Sequence, residues 1–390
     1  MPNYKKNGFG QRVSSRLELP ASLNPRRLIA GCMSGTSADG VDAALIAVEG
    51  NGLDIEIDVI RCVSVPFGDF SRRLKKVCDQ TPLPAGVMAD IILDLSKFHL
   101  EALRAVTNGE RIDLAVIHGQ TVYHNPPVTW QILNPALIAY GLNVPVLSDL
   151  RSADVAHAGQ GAPITPLADF ILFRQRTERR CIINLGGFCN YTLIPNRLSL
   201  NSDVGDKAHW MAEIRGKDVC VCNQLLDRVS QKLFNKPYDN NGEHAANGQV
   251  QDEALVNLIK LLNSQAESNR SLGTGDELNG WIDSWRGKFS GEDIARTACA
   301  GIASIISRPG PINRRILAGG GVKNLTLVQE IKNRSKVTVE LSDAYGIPAT
   351  YREAISMAVL GALCWDRIPI TLPQVTGAVE QFVSGSWVLP

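Results

Sequence analysis

Gly31-Cys-Met-Ser-Gly-Thr-Ser-Ala-Asp-Gly-Val-Asp42 joins two apolar runs. Leu28-Ile-Ala leads into it, and Ala43-Ala-Leu-Ile-Ala-Val48 continues after Asp42. Apolar runs flanking a polar, glycine-rich stretch read as strand, turn, strand. The same order recurs at Cys181-Ile-Ile-Asn-Leu-Gly-Gly-Phe-Cys-Asn190, followed by Tyr-Thr-Leu-Ile194. One such unit in each half predicts an internal duplication, with two related lobes and a cleft between them. Gly-turn hairpins are common on their own. It is the repetition that carries the inference.

Between the two units, Val87–Val106 carries apolar residues at three-to-four spacing and reads as an amphipathic helix. Gln224–Lys232 and Ala254–Leu262 read the same way. Leu114–Ile117, Val144–Leu147 and Arg315–Ala318 are apolar strand candidates, and the polar stretch Asn263–Leu278 reads as a surface loop. Alternating strands and helices predict the α/β class. At 390 residues the chain exceeds one ordinary core, so two lobes are expected.

A balance of 40 basic against 39 acidic residues gives no general reason to bind nucleic acid or an acidic membrane. No apolar stretch reaches the roughly 18–20 residues of a membrane span. The basic start, MPNYKKNGFGQRVSSR, lacks the apolar core of a secretory signal and reads as a tail. Nine cysteines scattered through apolar segments fit reduced, buried thiols and a cytoplasmic location. Cys220-Val-Cys222 has no second pair nearby to complete a zinc site.

The 34 glycines are bunched, at Gly31–Gly40, Gly159–Gly161, Gly186-Gly187 and Gly319–Gly321. In the first bunch, freed backbone N–H groups with Ser34, Thr36 and Ser37 can surround a phosphate. Asp39 and Asp42 lie where carboxylates can hold hydrated Mg²⁺. A plain hairpin turn satisfying its own backbone fits the stretch equally well. Neither P-loop nor Rossmann spacing is present. Gly319–Gly321, after an apolar strand, permits close approach of a flat nucleobase or ribose.

The stretch 31–42 resembles the N-terminal signature of the anhydro-N-acetylmuramic acid kinase family. Further family-like segments follow in order: His118-Gly-Gln-Thr-Val-Tyr-His124, Gln131–Pro135, Asp149–Asp154, Gly159–Pro163, Asn184–Asn190, Gly319–Gly321, Asp343–Ile347 and Thr376–Ala378. The resemblance implies a two-lobed actin/hexokinase-like (ribonuclease H-like) fold. Residues 27–156 plus 376–390 would form domain I, with 1–26 as its tail, and 157–375 domain II. It also implies an ATP- and Mg²⁺-dependent kinase that opens the bridge of a 1,6-anhydro sugar and phosphorylates O6, as in cell-wall recycling. ATP and the sugar would be its small-molecule partners, and a homodimer is compatible with it.

Carried over residue by residue, the resemblance makes Asp218 the catalytic base. Gly31, Ser34, Gly35, Thr36, Ser37, Asp39, Gly40, Asp42, Gly186, Gly187 and Asn190 would face ATP phosphates, and Gly319, Gly320 and Gly321 the adenosine. His118, Gln120, Thr121, Arg151, Asn223 and Glu353 would contact the sugar. Asp39 and Glu353 are the implied metal ligands. Local alternatives stand beside these roles. Asp218 could cap a helix, Arg151 could pair with Asp149 and Asp154, and Thr350–Glu353 fits a capping box. A buried, hydrogen-bonded histidine is the reading for His124.

The chain also departs from the family pattern. Cys220-Val221-Cys222 stands where the family has Gly-Pro-Gly between Asp218 and Asn223. Arg151 alone represents a segment richer in arginine. Leu272-Gly-Thr-Gly-Asp-Glu277 keeps Thr274, Gly275 and Glu277 of a family motif but loses both basic positions, and 202–217 looks like an insertion. Two alternatives follow: a kinase for another 1,6-anhydro sugar such as levoglucosan, or a catalytically impaired nucleotide-binding homologue.

Overall fold

A computed structural model describes residues 26–196, 211–268, 272–273, 275–308 and 310–390. The tail, most of the 202–217 segment and Thr274 lie outside the described residues. The first quoted stretch forms β1 (Arg26–Met33) and β2 (Gly40–Glu49), an antiparallel pair with Met33 opposite Asp42. Their near-continuous apolar sequence follows from burial on both faces. Ile29, Ala44, Ile46 and Val48 pack on one side against the helix Arg352–Trp365. Ala30, Cys32, Ala43 and Leu45 face the helix Ala85–Thr107 on the other. This period of two is what a pleated strand requires.

β3 (Glu56–Pro66) extends the hairpin, β4 (Leu114–His118) and β7 (Val146–Ser148) add parallel strands on the other flank, and β5 (Gln120–Asn125) with β6 (Val128–Ile132) forms a separate hairpin. In the second sheet β8 (Arg180–Leu185), β9 (Phe188–Ile194) and β10 (Arg215–Val221) form the antiparallel unit. β11 (Arg314–Ala318) and β12 (Thr338–Leu341) are its parallel strands. The order β3-β2-β1-β4-β7 in one sheet is thus matched by β10-β9-β8-β11-β12 in the other, with the same directions. The duplication expected from the two strand–turn–strand units is present.

β13 (Ser386–Val388) pairs antiparallel with β7, returning the C-terminal segment to the first sheet. The helix Arg352–Trp365 falls within 157–375 yet packs on β1, β2 and β4, so the chain is back on the first sheet before residue 376. It also meets the helix Pro166–Phe173, where buried Arg352 donates from Nε to Asp169 Oδ1 at 2.8 Å. Thr192 of β9 donates to Asp169 Oδ2 at 2.6 Å, so one buried carboxylate ties β9 to the helix resting on the first sheet.

Two local expectations change. The helix Asp252–Glu267 runs through the first part of the presumed loop 263–278, and Leu272 and Asp276 beyond it are buried. The capping box at Thr350–Glu353 does not form. The helix starts at Arg352 with Tyr351 as its N-cap, and no side chain caps it. Both errors arise because polar residues that serve a neighbour in space look, in sequence, like solvent-facing or capping residues.

Candidate active site

The first strands of each sheet deliver their turns to a shared edge. Met33 lies beside His118 in the first sheet, and Asn184 beside Ala318 in the second. In α/β sheets of this kind ligands collect beyond the carboxyl ends of parallel strands. The two glycine turns confront each other across the gap: a Cβ added at Gly187 would come within 2.4 Å of Thr36 Oγ1. A side chain there would have to push the Thr36 hydroxyl aside, so glycine lets the two turns approach closely.

Around Thr36 the first turn is tied to itself. Ala38 N donates to Gly35 O at 3.1 Å, and Ser37 Oγ to Asp39 Oδ1 at 2.7 Å. Thr36, Ser37 and Asp39 remain exposed, whereas Ser34 is buried with an unpaired hydroxyl. Asp42 accepts from Ser64 Oγ at 2.5 Å. Burial, opposed by that bond, raises its carboxyl above the ordinary range, with Asp39 adding to the rise and Lys323 countering it. Gly31 and Gly40 belong to packing: an added Cβ would lie 2.1 Å from Ala354 O and 2.8 Å from Val65 O respectively.

On the opposite side Gly186 and Gly187 carbonyls accept from Asn223 N at 3.1 Å and Cys222 N at 2.9 Å. These bonds seat the start of the helix Asn223–Phe234 on the turn. Asn223 Nδ2 donates to Leu185 O at 3.0 Å, and its Oδ1 leaves room only for glycine at 321. Asn223 therefore lies beside the glycine triplet. Gly319 has φ +87 and an added Cβ would approach Asn184 Oδ1 within 2.5 Å, while Gly320 faces open space. The turn is thus bare and accessible at its middle residue.

Asp227, one helical turn beyond Asn223, is pushed up to about 7 by burial first and then by Asp39. Asp227 and Asp39 thus form an oxygen-rich pair, the donor type that suits hydrated Mg²⁺ bound jointly with phosphates. Asp39 and Asp227 therefore fit the cation, where the resemblance had implied Asp39 with Glu353. The raised Asp227 value means the carboxylate costs stability as pH climbs from about 4 to about 7. Asp227→Asn should gain about 1–2 kcal/mol over wild type at pH 8, after allowing for solvent screening, and nothing near pH 4. Thermal unfolding at the two pH values checks this, and millimolar Mg²⁺ should narrow the gap at pH 8.

A second group of residues converges at the far end of the cleft. Asp218 lies in β10, opposite Asn190 of β9, just before a bulge between Asp218 and Cys220. It is a strand residue and caps no helix. Its Oδ2 accepts from Leu272 N at 3.0 Å. Burial raises the carboxyl above its ordinary range, the Leu272 N–H and Arg151 hold it back, and Asp276 adds to the rise. Segment 272–277 thus supplies a donor to the expected base, from a stretch whose polarity reads as surface.

Arg151 is not paired with its sequence neighbours. Asp149 Oδ1 accepts from Ser152 N, and the Asp154 carboxylate accepts from Gly161 N and Thr376 Oγ1. Arg151 Nε instead donates to His118 Nε2 at 3.1 Å. This makes His118 neutral with its proton on Nδ1, and burial followed by the guanidinium drives its pKa well below the usual value. Burial lowers the Arg151 pKa, and Asp218 and Glu353 oppose that. Glu353 is raised by burial first, with Arg352 and Arg151 pulling it down. Glu353 thus stands among the guanidinium groups of Arg352 and Arg151, with the Asp42 and Asp169 carboxylates adding to its rise.

Gln120 is buried with an unpaired Oε1, and Thr121 Oγ1 accepts weakly from Gln131 Nε2 at 3.4 Å. His124 bonds Thr129 Oγ1 at 2.9 Å, the bland role expected of it. Cys220 and Cys222 are fully buried free thiols in the second core, and no cluster of three or more His, Cys, Asp or Glu side chains able to hold a metal occurs among the described residues. No described helix is long and apolar enough to cross a membrane.

A model of the family described as anhydro-N-acetylmuramic acid kinase matches residues 27–389. The anhydro-N-acetylmuramic acid kinase of Bacillus cereus is 32% identical over 389 residues, covering 93% of this chain and 99% of that one. The enzyme of the same name from Bacillus thuringiensis subsp. konkukian is 31% identical with the same coverage, 93% and 99%. Among solved structures, the ADPNP-bound activator of 2-hydroxyisocaproyl-CoA dehydratase from Clostridium difficile aligns with TM-score 0.42 and 13% identity, over 86% of this chain and 94% of that chain. The inorganic polyphosphate/ATP-glucomannokinase of Arthrobacter aligns with TM-score 0.31 and 13% identity, over 86% and 99%. The match spans both sheets and every glycine turn described above: the chain belongs to the anhydro-N-acetylmuramic acid kinase family and is a kinase.

Proposed function

We propose that the chain uses ATP and water to convert 1,6-anhydro-N-acetylmuramic acid into N-acetylmuramic acid 6-phosphate. The observation that carries this reading is Asp218, a carboxylate set at the cleft with one oxygen on the Leu272 N–H and Arg151 nearby. Water attacks C1 while Asp218 takes its proton, and the C1–O6 bond breaks. O6 then attacks the γ-phosphorus and ADP leaves. A base does this work in its ionised form, so the N–H and the guanidinium that favour the carboxylate serve the reaction.

Thr36, Ser37 and the Gly186–Gly187 turn would border the phosphates, with Gly319–Gly321 against the adenosine. Asp39 and Asp227 would hold Mg²⁺, which when bound neutralises phosphate charge. His118 keeps Arg151 oriented by accepting its Nε–H, leaving the rest of the guanidinium to face the sugar. A cytoplasmic role in recycling cell-wall sugars fits this substrate.

One observation favours a second reading, an anhydro sugar without a carboxylate, such as levoglucosan. Asp218, Glu353 and Asp276 surround the site with acid, and Arg151 is the guanidinium that both Asp218 and Glu353 face. Rates on the two sugars decide between them. A forked Arg151–carboxylate contact should favour the muramic acid by about 10- to 100-fold in kcat/KM, from roughly 1.5–3 kcal/mol. Equal kcat/KM on both would sink the muramate-specific reading.

A further inference from the structure

The helix Asp252–Glu267 buries one stripe: Ala254, Leu258, Leu262 and Gln265. Three apolar residues at helical spacing are followed by an amide where a fourth apolar side chain would fill the core. A buried amide is costly unless its polar atoms are bonded, and here both ends are used. Gln265 Oε1 accepts from Val221 N at 3.0 Å, and Nε2 donates to the Asp276 carbonyl at 2.7 Å.

Val221 belongs to β10, an edge strand three residues beyond Asp218, so its N–H has no further strand to pair with. Asp276 closes a tight turn: its carboxylate accepts from Gly273 N at 2.9 Å, and its own N–H donates to Gly273 O at 3.1 Å. That turn begins next to Leu272, whose N–H reaches Asp218. Gln265 is thus a clamp between the strand carrying Asp218 and the turn that donates to it.

We propose that Gln265 is a positioning residue for catalysis, holding the Leu272–Asp276 turn against β10 so that the Leu272 N–H stays on the Asp218 carboxylate. The proposal rests on Asp218 as the base. The groups facing that carboxylate are the Leu272 N–H, Arg151 and Asp276. Loss of the N–H removes a bond to the charged form, so the Asp218 pKa should rise and the base should stay protonated to higher pH.

Gln265→Met keeps the volume and removes both bonds. Leu272→Pro deletes the donor itself and calibrates the effect. The Asp218 titration is followed by ¹³C NMR of Asp-labelled full-length protein, the resonance assigned by its loss in Asp218→Asn. Expected for Gln265→Met is a midpoint about one pH unit higher, with the acid limb of kcat/KM moving equally. At pH values within the limb, kcat should fall about tenfold, while KM for ATP stays within about twofold. A lower melting temperature with unmoved midpoint and limb would make Gln265 merely structural and overturn the proposal. If Gln265→Met does not fold, Gln265→Asn, one methylene too short to span both partners, carries the same two outcomes. Absence of turnover on anhydro sugars by wild type would instead defeat the functional reading, and the NMR titration would still decide the role of Gln265.

Discussion

Asp218→Asn should abolish sugar-dependent ADP release, lowering kcat by about 10³-fold, the range expected when a general base is removed. Asparagine preserves shape and can still accept the Leu272 N–H, so the loss isolates proton transfer. Burial raises the Asp218 pKa in the folded chain, so its charged form costs stability above the unfolded value. The variant should therefore melt no lower than wild type at neutral pH, and calorimetry should find its ATP affinity within about twofold. If wild type itself shows no sugar-dependent turnover, the kinase reaction proposed for this site fails, and the catalytically impaired alternative stands. Full activity in the variant would instead remove Asp218 from the base role.

Gly31→Ala should be strongly damaging, through the fold. The added Cβ would lie 2.1 Å from the Ala354 carbonyl and 2.6 Å from Ala358 N, both backbone atoms of the helix on the first sheet. Flexible side chains can swing away from such a clash. Here β1 or the whole helix must move, at a cost of about 3 kcal/mol or more. Gly35→Ala makes the control, because its added Cβ meets only Ser37 Oγ at 3.7 Å. That variant should leave the melting temperature nearly unchanged while raising KM for ATP. Urea unfolding and ATP kinetics on the pair separate the glycine that packs from the glycine that borders phosphate. A Gly31→Ala protein with wild-type stability would mean β1 and the helix lie farther apart than described.

The strands were legible because their burial is two-sided. β1, β2 and β8 are apolar along most of their length, and each borders a polar or glycine turn. β10 was not legible. It alternates poorly, starts Arg-Gly-Lys-Asp, and is stabilised by pairing with β9 and by the Gln265 amide. Helices with a regular apolar stripe were found within a few residues of their ends: Val87–Val106 was expected and Ala85–Thr107 is observed. The cap at Thr350 failed since helix entry there is governed by the Arg352–Asp169 pair, whose partner is 183 positions away.

The sequence by itself determined the duplicated strand–turn–strand units, the α/β class and the family. These depend on near neighbours: a run of apolar side chains, a glycine that frees a turn, an ordered series of motifs. Only the tertiary structure decided which residues act on one another. It placed His118 on Arg151, Leu272 on Asp218 and Asp227 against Asp39, and it assigned Gly31 to packing. The reason is that pKa values and steric room are set by the groups within a few ångströms, and in this cleft those come from strands and turns far apart in the chain.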